Sequence, residues 1–231
     1  SSEVKSTMVE QVESVAVIGT GAMGKRMVGH LEDGGFDVTA HDTSEAALSD
    51  ASDRGAKTMS SPEEAAAAAD LSLIVVGTYE QVEAVLFDED GIAHAVKEGH
   101  IVAISSTLAP EDCISFAEVL QGEGIEVIDV PTCRGEQAAE EGDLLVLGGG
   151  PEEAFEKAVP VLQQFAAPEN VVRFGEVGTG QVAKTANNTL LWTTLVADYE
   201  VLRLARAYGL NLEQLRDVLE RSSGDNWTLR E

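Results

Sequence analysis

Basic residues are scarce in this chain. Fifteen lysines and arginines face forty-one aspartates and glutamates, for a formal net charge of -26 and a pI near 4.3. A field of that sign repels phosphate backbones and anionic bilayers, so neither a nucleic acid nor a membrane is an expected partner. The acidic residues are spread along the chain rather than gathered in a tail. That pattern favours a host with a salt-rich cytoplasm, where screening removes the self-repulsion, over an ordinary acidic protein. Long hydrophobic runs are also missing. Leu71 to Val76 is among the longest, and it is far too short to span a bilayer. The stretch Ser1 to Gln11 is polar and has no apolar core, so no secretory signal is expected and the location reads as cytoplasmic. Cysteine appears twice, at Cys113 and Cys133, without a CxxC pair or a histidine at ligand spacing. A disulfide framework is excluded and no metal site is expected. The four histidines (His30, His41, His94 and His100) are scattered and read as solvated or capping residues.

What is present suffices for a packed core: 44% of the 231 residues are hydrophobic. From Ser14 onward, short apolar runs alternate with helix-length amphipathic stretches, the pattern of a parallel sheet with crossover helices. Strands are expected at Ser14–Ile18, Asp37–His41, Ala56–Thr58, Leu71–Val76, Ile101–Ile104, Glu126–Val130, Leu144–Leu147 and Val171–Arg173. Helices are expected at Met23–Asp33, Ser44–Arg54 and from Pro62. After Gly180 the pattern changes to one long helix over Gln181–Tyr208, closed by Gly209 and followed by a shorter helix over Asn211–Glu220. The fold class is therefore α/β, a dinucleotide-binding domain over residues 12–177 followed by an all-helical segment over 178–231. That segment is too short to bury the apolar face of its own long helix. It is read as the start of a truncated second domain that needs a partner, and a homodimer or higher homo-oligomer is expected.

Two motifs carry the chemistry. The first is Gly19-Thr20-Gly21-Ala22-Met23-Gly24, placed between a strand and a helix. Gly19 permits the tight turn, Gly21 lets the backbone approach a pyrophosphate, and Gly24 allows close packing of helix on strand. Asp42, an acid at the end of the next strand, suits the adenosine ribose hydroxyls and repels a 2′-phosphate. NAD is the expected cofactor, with NADP possible through Lys25 or Arg26. The second motif is Gly178-Thr179-Gly180 followed by Lys184 and Asn188. Residues four apart on a helix share a face, so Lys184 and Asn188 can address one substrate together. A lysine ammonium can stabilise and protonate an oxygen that gains alkoxide character, and the neutral amine can accept the proton in reverse. Asn188 adds a donor and an acceptor without charge.

Taken with Ser106-Thr107 and Pro110 and with Asp129-Val130-Pro131, these motifs resemble the β-hydroxyacid dehydrogenase family. That family includes 3-hydroxyisobutyrate dehydrogenases and tartronate semialdehyde reductases and is related to 6-phosphogluconate dehydrogenase. The resemblance runs from about Ser14 to the end and implies a Rossmann domain with a helical domain that packs across a dimer interface. It implies Lys184 as the catalytic lysine, Asn188 as the substrate-orienting asparagine and Thr107 as a contact to the nicotinamide end. It also implies Ala22, Met23, Val76, Gly77 and Gln81 around the cofactor, and Asn187 beside the substrate. The substrate loop is expected at Cys133-Arg134-Gly135, where the family commonly has Ser-Gly-Gly. An arginine there favours a small anionic hydroxy acid or semialdehyde, as in the similar stretch of sulfolactaldehyde reductases; a salt bridge from Arg134 to Glu136 or Glu140 is the alternative. The expected activity is hydride transfer between NAD and a short 3-hydroxy acid. A non-catalytic dinucleotide sensor or scaffold and an imine reductase are the other readings, and the retained Lys184 counts against both.

Overall fold

The computed structural model describes residues 11–230, so the reading of the N-terminal stretch before Gln11 lies outside the described residues. The described chain divides into two compact units, one ending at Lys184 and one beginning at Thr185.

In the first unit, β1 (Ser14–Ile18), β2 (Asp37–His41), β3 (Lys57–Thr58), β4 (Leu71–Ile74), β5 (Ile101–Ile104) and β6 (Glu126–Asp129) are all parallel, in the order β3-β2-β1-β4-β5-β6. Residues of β1, β4 and β5 are almost wholly buried because helices cover both faces of the sheet. Side chains alternate between two cores. Val15 and Val17 join Met27, Leu31 and Phe155 on one face, whereas Ala16 and Ile18 join Leu86, Phe116 and Leu120 on the other. Helices α1 (Gly24–Asp33), α2 (Glu45–Asp53), α3 (Pro62–Ala67), α4 (Tyr79–Phe87) and α5 (Pro110–Gln121) fill the crossovers. Their starts follow from local chemistry: Ser44, Ser61 and Thr78 cap α2, α3 and α4, and proline opens α3 and α5. The strand order reverses between β1 and β4, and the carboxyl ends at such a reversal are where open α/β sheets form their ligand crevice.

The expected all-parallel sheet holds only to β6. Val130 and Pro131 lead into β7 (Thr132–Cys133), α6 (Gly135–Glu141) follows, and β8 (Leu145–Gly149) returns antiparallel to both β6 and β7. The short connection through α6 cannot carry the chain back for a parallel crossover. After α7 (Glu152–Leu162), β9 (Val171–Gly175) pairs parallel with β8.

The long helix α8 spans Thr179–Ala207, two residues earlier than glycine punctuation predicts, and the division between units falls within it. Gly209 closes it at φ +74° with its N–H on Arg206 O. Within the second unit, α9 (Leu212–Leu219) is capped by Asn211, and Asp198 of α8 accepts from Asn226 and Thr228 at the start of α10 (Trp227–Arg230). No helix of the described residues is long and apolar enough to cross a membrane.

The amino end of the sheet corrects one expectation. Asp70 ties β1 to β4 by accepting from the Glu13 and Ser14 backbones and the Ser14 hydroxyl at 2.8–3.0 Å. Beside it His100 is not solvated but 7% exposed, with Nε2 at 2.9 Å from the buried Ser72 hydroxyl. Burial pushes the imidazole down to about 4, against opposing help from the Ala69 carbonyl and the Asp70 charge. The folded chain therefore binds fewer protons than the unfolded chain below the ordinary histidine value of 6.5. The His100 contribution is complete above that pH and falls away between 6.5 and about 4. The loss is on the order of a few kcal/mol, for a shift from 6.5 to about 4 at about 1.4 kcal/mol per unit. Thermal unfolding of His100→Gln, which keeps a partner for Ser72, is expected to lose less stability across this window than the parent; equal losses contradict the assignment.

Candidate active site

The glycine-rich loop follows β1 and runs into α1 at the crevice. Gly19 has φ +94°, its N–H donates to His41 O at 2.9 Å, and a side chain there would meet Val75 O at 2.4 Å. A Cβ at Gly24 would lie 1.9 Å from Gly19 O, so helix and loop touch only because Gly24 lacks one. Gly21 has open space where its Cβ would be, and Gly21 and Ala22 are exposed, with Met23 half-buried. An open backbone at the start of a helix fits a dinucleotide pyrophosphate. Asp42 stands beside this loop. One oxygen accepts from Thr20 N at 2.7 Å and the other from Ser44 N at 2.8 Å. Lys25 is paired with Asp50 at 2.8 Å, and Arg26 with Glu140 at 2.8 Å and Glu136 at 3.2 Å.

The carboxyl ends of β4, β5 and β6 supply the neighbouring loops. Val76 N donates to the Ser106 hydroxyl at 2.9 Å. Gln81 caps α4 by accepting from Gly77 N and Thr78 N at 2.8 and 3.1 Å, which commits its carbonyl oxygen to the helix start. Thr107 is exposed between the buried Ser106 and Leu108.

Asp129, at the end of β6, is completely buried. It accepts from Gly178 N at 2.7 Å and Gln181 N at 2.8 Å on separate oxygens, with Gly180 N as a further donor. Burial raises its carboxyl, and these N–H donors oppose the shift. The ionised form matches the site, because every neighbour donates. Gly180 lies inside the first turn of α8 for a steric reason, since its Cβ would sit 2.3 Å from Leu147 O and 2.7 Å from Asp129 Oδ2. This close approach is what the glycine signal marked. The side chain of Gln181 is equally buried, donating from Nε2 to Ser106 O at 2.8 Å and accepting from Leu108 N at 3.0 Å. Asp129 is visible in the sequence as part of Asp129-Val130-Pro131 but without a role, and Gln181 only by its place next to motif residues.

One turn into α8, Lys184 is half-buried. Its Nζ donates to Thr132 O at 2.6 Å and stands 3.7 Å from Cys133 Sγ. Thr132 and Cys133 form β7, directly before Arg134 and Gly135. Lys184 thus sits against the loop predicted to meet the substrate. Arg134 is exposed and has φ +84°, the one left-handed non-glycine among the described residues. Its guanidinium pairs with Asp143 at 2.7 Å; the expected alternative partners, Glu136 and Glu140, face Arg26 instead. Asn187 and Asn188 belong to the second unit, Asn187 exposed and Asn188 half-buried, with 3.3 Å between their amides. The two cysteines are free, and burial pushes the Cys113 thiol up to about 12. No cluster of histidine, cysteine and carboxylate among the described residues could hold a metal ion.

Residues 14–178 match the NAD-binding domain of 6-phosphogluconate dehydrogenase, and residues 178–231 match the NAD-binding family of NADP-dependent 3-hydroxyisobutyrate dehydrogenase. The chain is 32% identical over 218 residues to the NAD-dependent L-serine dehydrogenase of Pseudomonas aeruginosa, covering 94% of this chain and 72% of that protein. It is 32% identical over 215 residues to the 3-hydroxyisobutyrate dehydrogenase of the same organism, covering 93% and 72%. The solved 3-hydroxyisobutyrate dehydrogenase of Mycobacterium tuberculosis with L-serine superposes with a TM-score of 0.86 at 29% identity, over 94% of this chain and 73% of that one. The chain belongs to the β-hydroxyacid dehydrogenase family, enzymes that act on hydroxy acids with NAD(P).

Proposed function

We propose that this enzyme moves a hydride between NAD and a short anionic 3-hydroxy acid or its semialdehyde, with Lys184 as general acid and base. The observation that carries this reading is the seat of Lys184 Nζ on Thr132 O, against the strand that leads into Arg134 and Gly135. An ammonium has three N–H donors. Thr132 O takes one and the thiol of Cys133 is near a second, which leaves a donor for a substrate oxygen. When bound, the nicotinamide supplies or accepts the hydride. In reduction Lys184 donates a proton to the oxygen as alkoxide character develops, and in oxidation its neutral amine takes the alcohol proton. Asn188, one turn further along the helix, is the residue proposed to hold the substrate hydroxyl or carboxylate in line, with Asn187 beside it.

Gly19, Gly21, Ala22, Met23 and Gly24 are the proposed seat of the pyrophosphate, and Val76, Gly77, Gln81 and Thr107 the remaining cofactor contacts. Asp42 favours NAD, because a fixed carboxylate repels a 2′-phosphate and the nearby cations Lys25 and Arg26 are held by acidic partners. Arg134 is the proposed anchor for the substrate anion, which would take the exposed guanidinium over from its ion pair with Asp143. Its left-handed backbone is a strain of the kind that persists where surrounding structure imposes it, and the guanidinium fork suits a carboxylate or sulfonate. In the second unit Trp192, Leu195, Val196 and Tyr199 recur at helical spacing on α8 and are all exposed. A second copy of the chain covering them is the proposed assembly, with the dinucleotide domain over 12–177 and the substrate and dimerisation segment from 178.

The test is nicotinamide-linked turnover in concentrated KCl, where this acidic protein is expected to be more active than in dilute buffer. Substrates are 3-hydroxyisobutyrate, L-serine, the glycerates and 3-sulfolactate, with NAD and with NADP. Lys184→Ala is expected to abolish turnover while NADH still binds; loss of both, or of neither, removes the assigned role. Arg134→Gly relieves the strained backbone and is expected to raise KM for anionic substrates with little effect on kcat, and an unchanged KM sinks the anchor. Light scattering of the same preparations should give a dimer or larger; a clean monomer overturns the assembly.

A further inference from the structure

We infer that Gln181 is a positioning residue, a single buried amide that sets the helix carrying Lys184 against the loop carrying Thr107. The inference rests on the proposed role of Lys184 and names the group that acts through it.

Three observations converge on this side chain. Gln181 is completely buried, and both polar ends are engaged, Nε2 with Ser106 O and Oε1 with Leu108 N. Those two backbone groups flank Thr107, whose own side chain is exposed toward solvent. The amide of Gln181 thus does for this loop what a neighbouring strand does for an extended segment: it satisfies a C=O and an N–H two residues apart. It leaves the residue between them to project outward. At the same time the backbone N–H of Gln181 is held by Asp129 Oδ2 at 2.8 Å, so the residue is fixed at both ends. The Ser106 hydroxyl extends the chain of bonds by accepting from Val76 N at the end of β4. The carboxyl ends of β4, β5 and β6 are therefore joined to the first turn of α8 by one continuous run of hydrogen bonds, buried throughout except at Val76, where it is half-buried.

Chemistry makes glutamine the residue that fits. A carboxylate would face Ser106 O with like partial charge, a hydrocarbon would leave both backbone groups unpaired, and asparagine is one methylene too short. Lys184 lies three residues further on, in the adjoining turn of the same helix. A shift of that turn moves Nζ relative to whatever Thr107 contacts. Proton transfer and hydride transfer require both partners in line at once, and a misplacement of about 1 Å costs about 100-fold in rate.

Gln181→Met keeps the length and removes both polar atoms. The expected result is a kcat lower by about 100-fold, with a much smaller change in substrate KM and in the NADH dissociation constant read by fluorescence titration. Gln181→Glu is the partial rescue. It still accepts from Leu108 N, and once protonated it can donate to Ser106 O. Its kcat should lie between the parent and Gln181→Met and gain on the parent as pH falls. Asp129 and Cys113 are the titratable neighbours of this position, and a carboxylate at 181 disfavours ionisation of both, so the pH dependence belongs to the cluster and the assignment to residue 181 rests on the order of kcat among parent, Gln181→Glu and Gln181→Met. Unchanged kcat in Gln181→Met overturns the inference. So does a parallel loss of NADH binding and cooperative melting in both variants, which would make the residue a support of the fold alone. Lys184→Ala separates the two claims: full turnover there removes the parent reading and this one together. A dead Lys184→Ala beside a fully active Gln181→Met removes this one alone.

Discussion

A carboxylate sealed from water and ringed by backbone N–H groups is the constraint on which the site depends. Asp129 ends a central strand, yet its two oxygens belong to the segment that opens α8 almost fifty residues later. Burying a charge is costly unless every lone pair finds a donor, and here Gly178, Gly180 and Gln181 supply them. The same carboxylate faces the amino end of a 29-residue helix, where the backbone dipoles favour negative charge. A side chain at position 180 would push the helix away, so glycine there is the steric condition for the electrostatic contact.

From that anchor the rest of the geometry follows. The first turn of α8 cannot rotate or slide without breaking bonds to Asp129, Ser106 and Leu108, so Lys184 projects in one place, against Thr132 and Cys133. The glycine loop is fixed independently, by Val75 O and His41 O closing on Gly19 and by Asp42 on Thr20. Two loops set by separate strands then flank one crevice where the strand order reverses. The surface is a different matter. Most ion pairs are exposed, contribute little one by one, and are outnumbered by unpaired acids in a chain of net charge -26. Stability of the core and the strongly acidic surface are therefore carried by separate parts of the sequence.

The sheet was legible because its central strands are apolar runs bounded by turn residues, as in Ser14–Ile18 and Ile101–Ile104, and because Ser44 and Asn211 mark helix starts by their capping chemistry. The antiparallel turn through β7 and β8 was not, since strand direction depends on the length of a connection whose helix α6 is too short to show clear periodicity. Glycine misled at position 180, where it reads as punctuation but serves close packing inside a helix. His100 misled in the opposite way: a lone histidine carries no mark of burial, and its partner Ser72 is 28 residues away in the chain. The motif residues Lys184, Gly19 and Asp42 were legible by type and spacing. Asp129 was legible as part of Asp129-Val130-Pro131, but its role and that of Gln181 were not, because their work is done for other residues' backbones, and backbone partners leave no trace in side-chain identity.

The most direct measurement is amide hydrogen exchange in Asp129→Asn, compared with the parent under the same salt. Asparagine keeps the shape but turns one acceptor into a donor and removes the charge. If Asp129 holds the helix, protection falls at Gly178, Gly180 and Gln181 while β1 and β4 keep theirs, and hydroxy-acid turnover falls with it. Unchanged protection across 178–184 would contradict the account, and the position of Lys184 would need another cause.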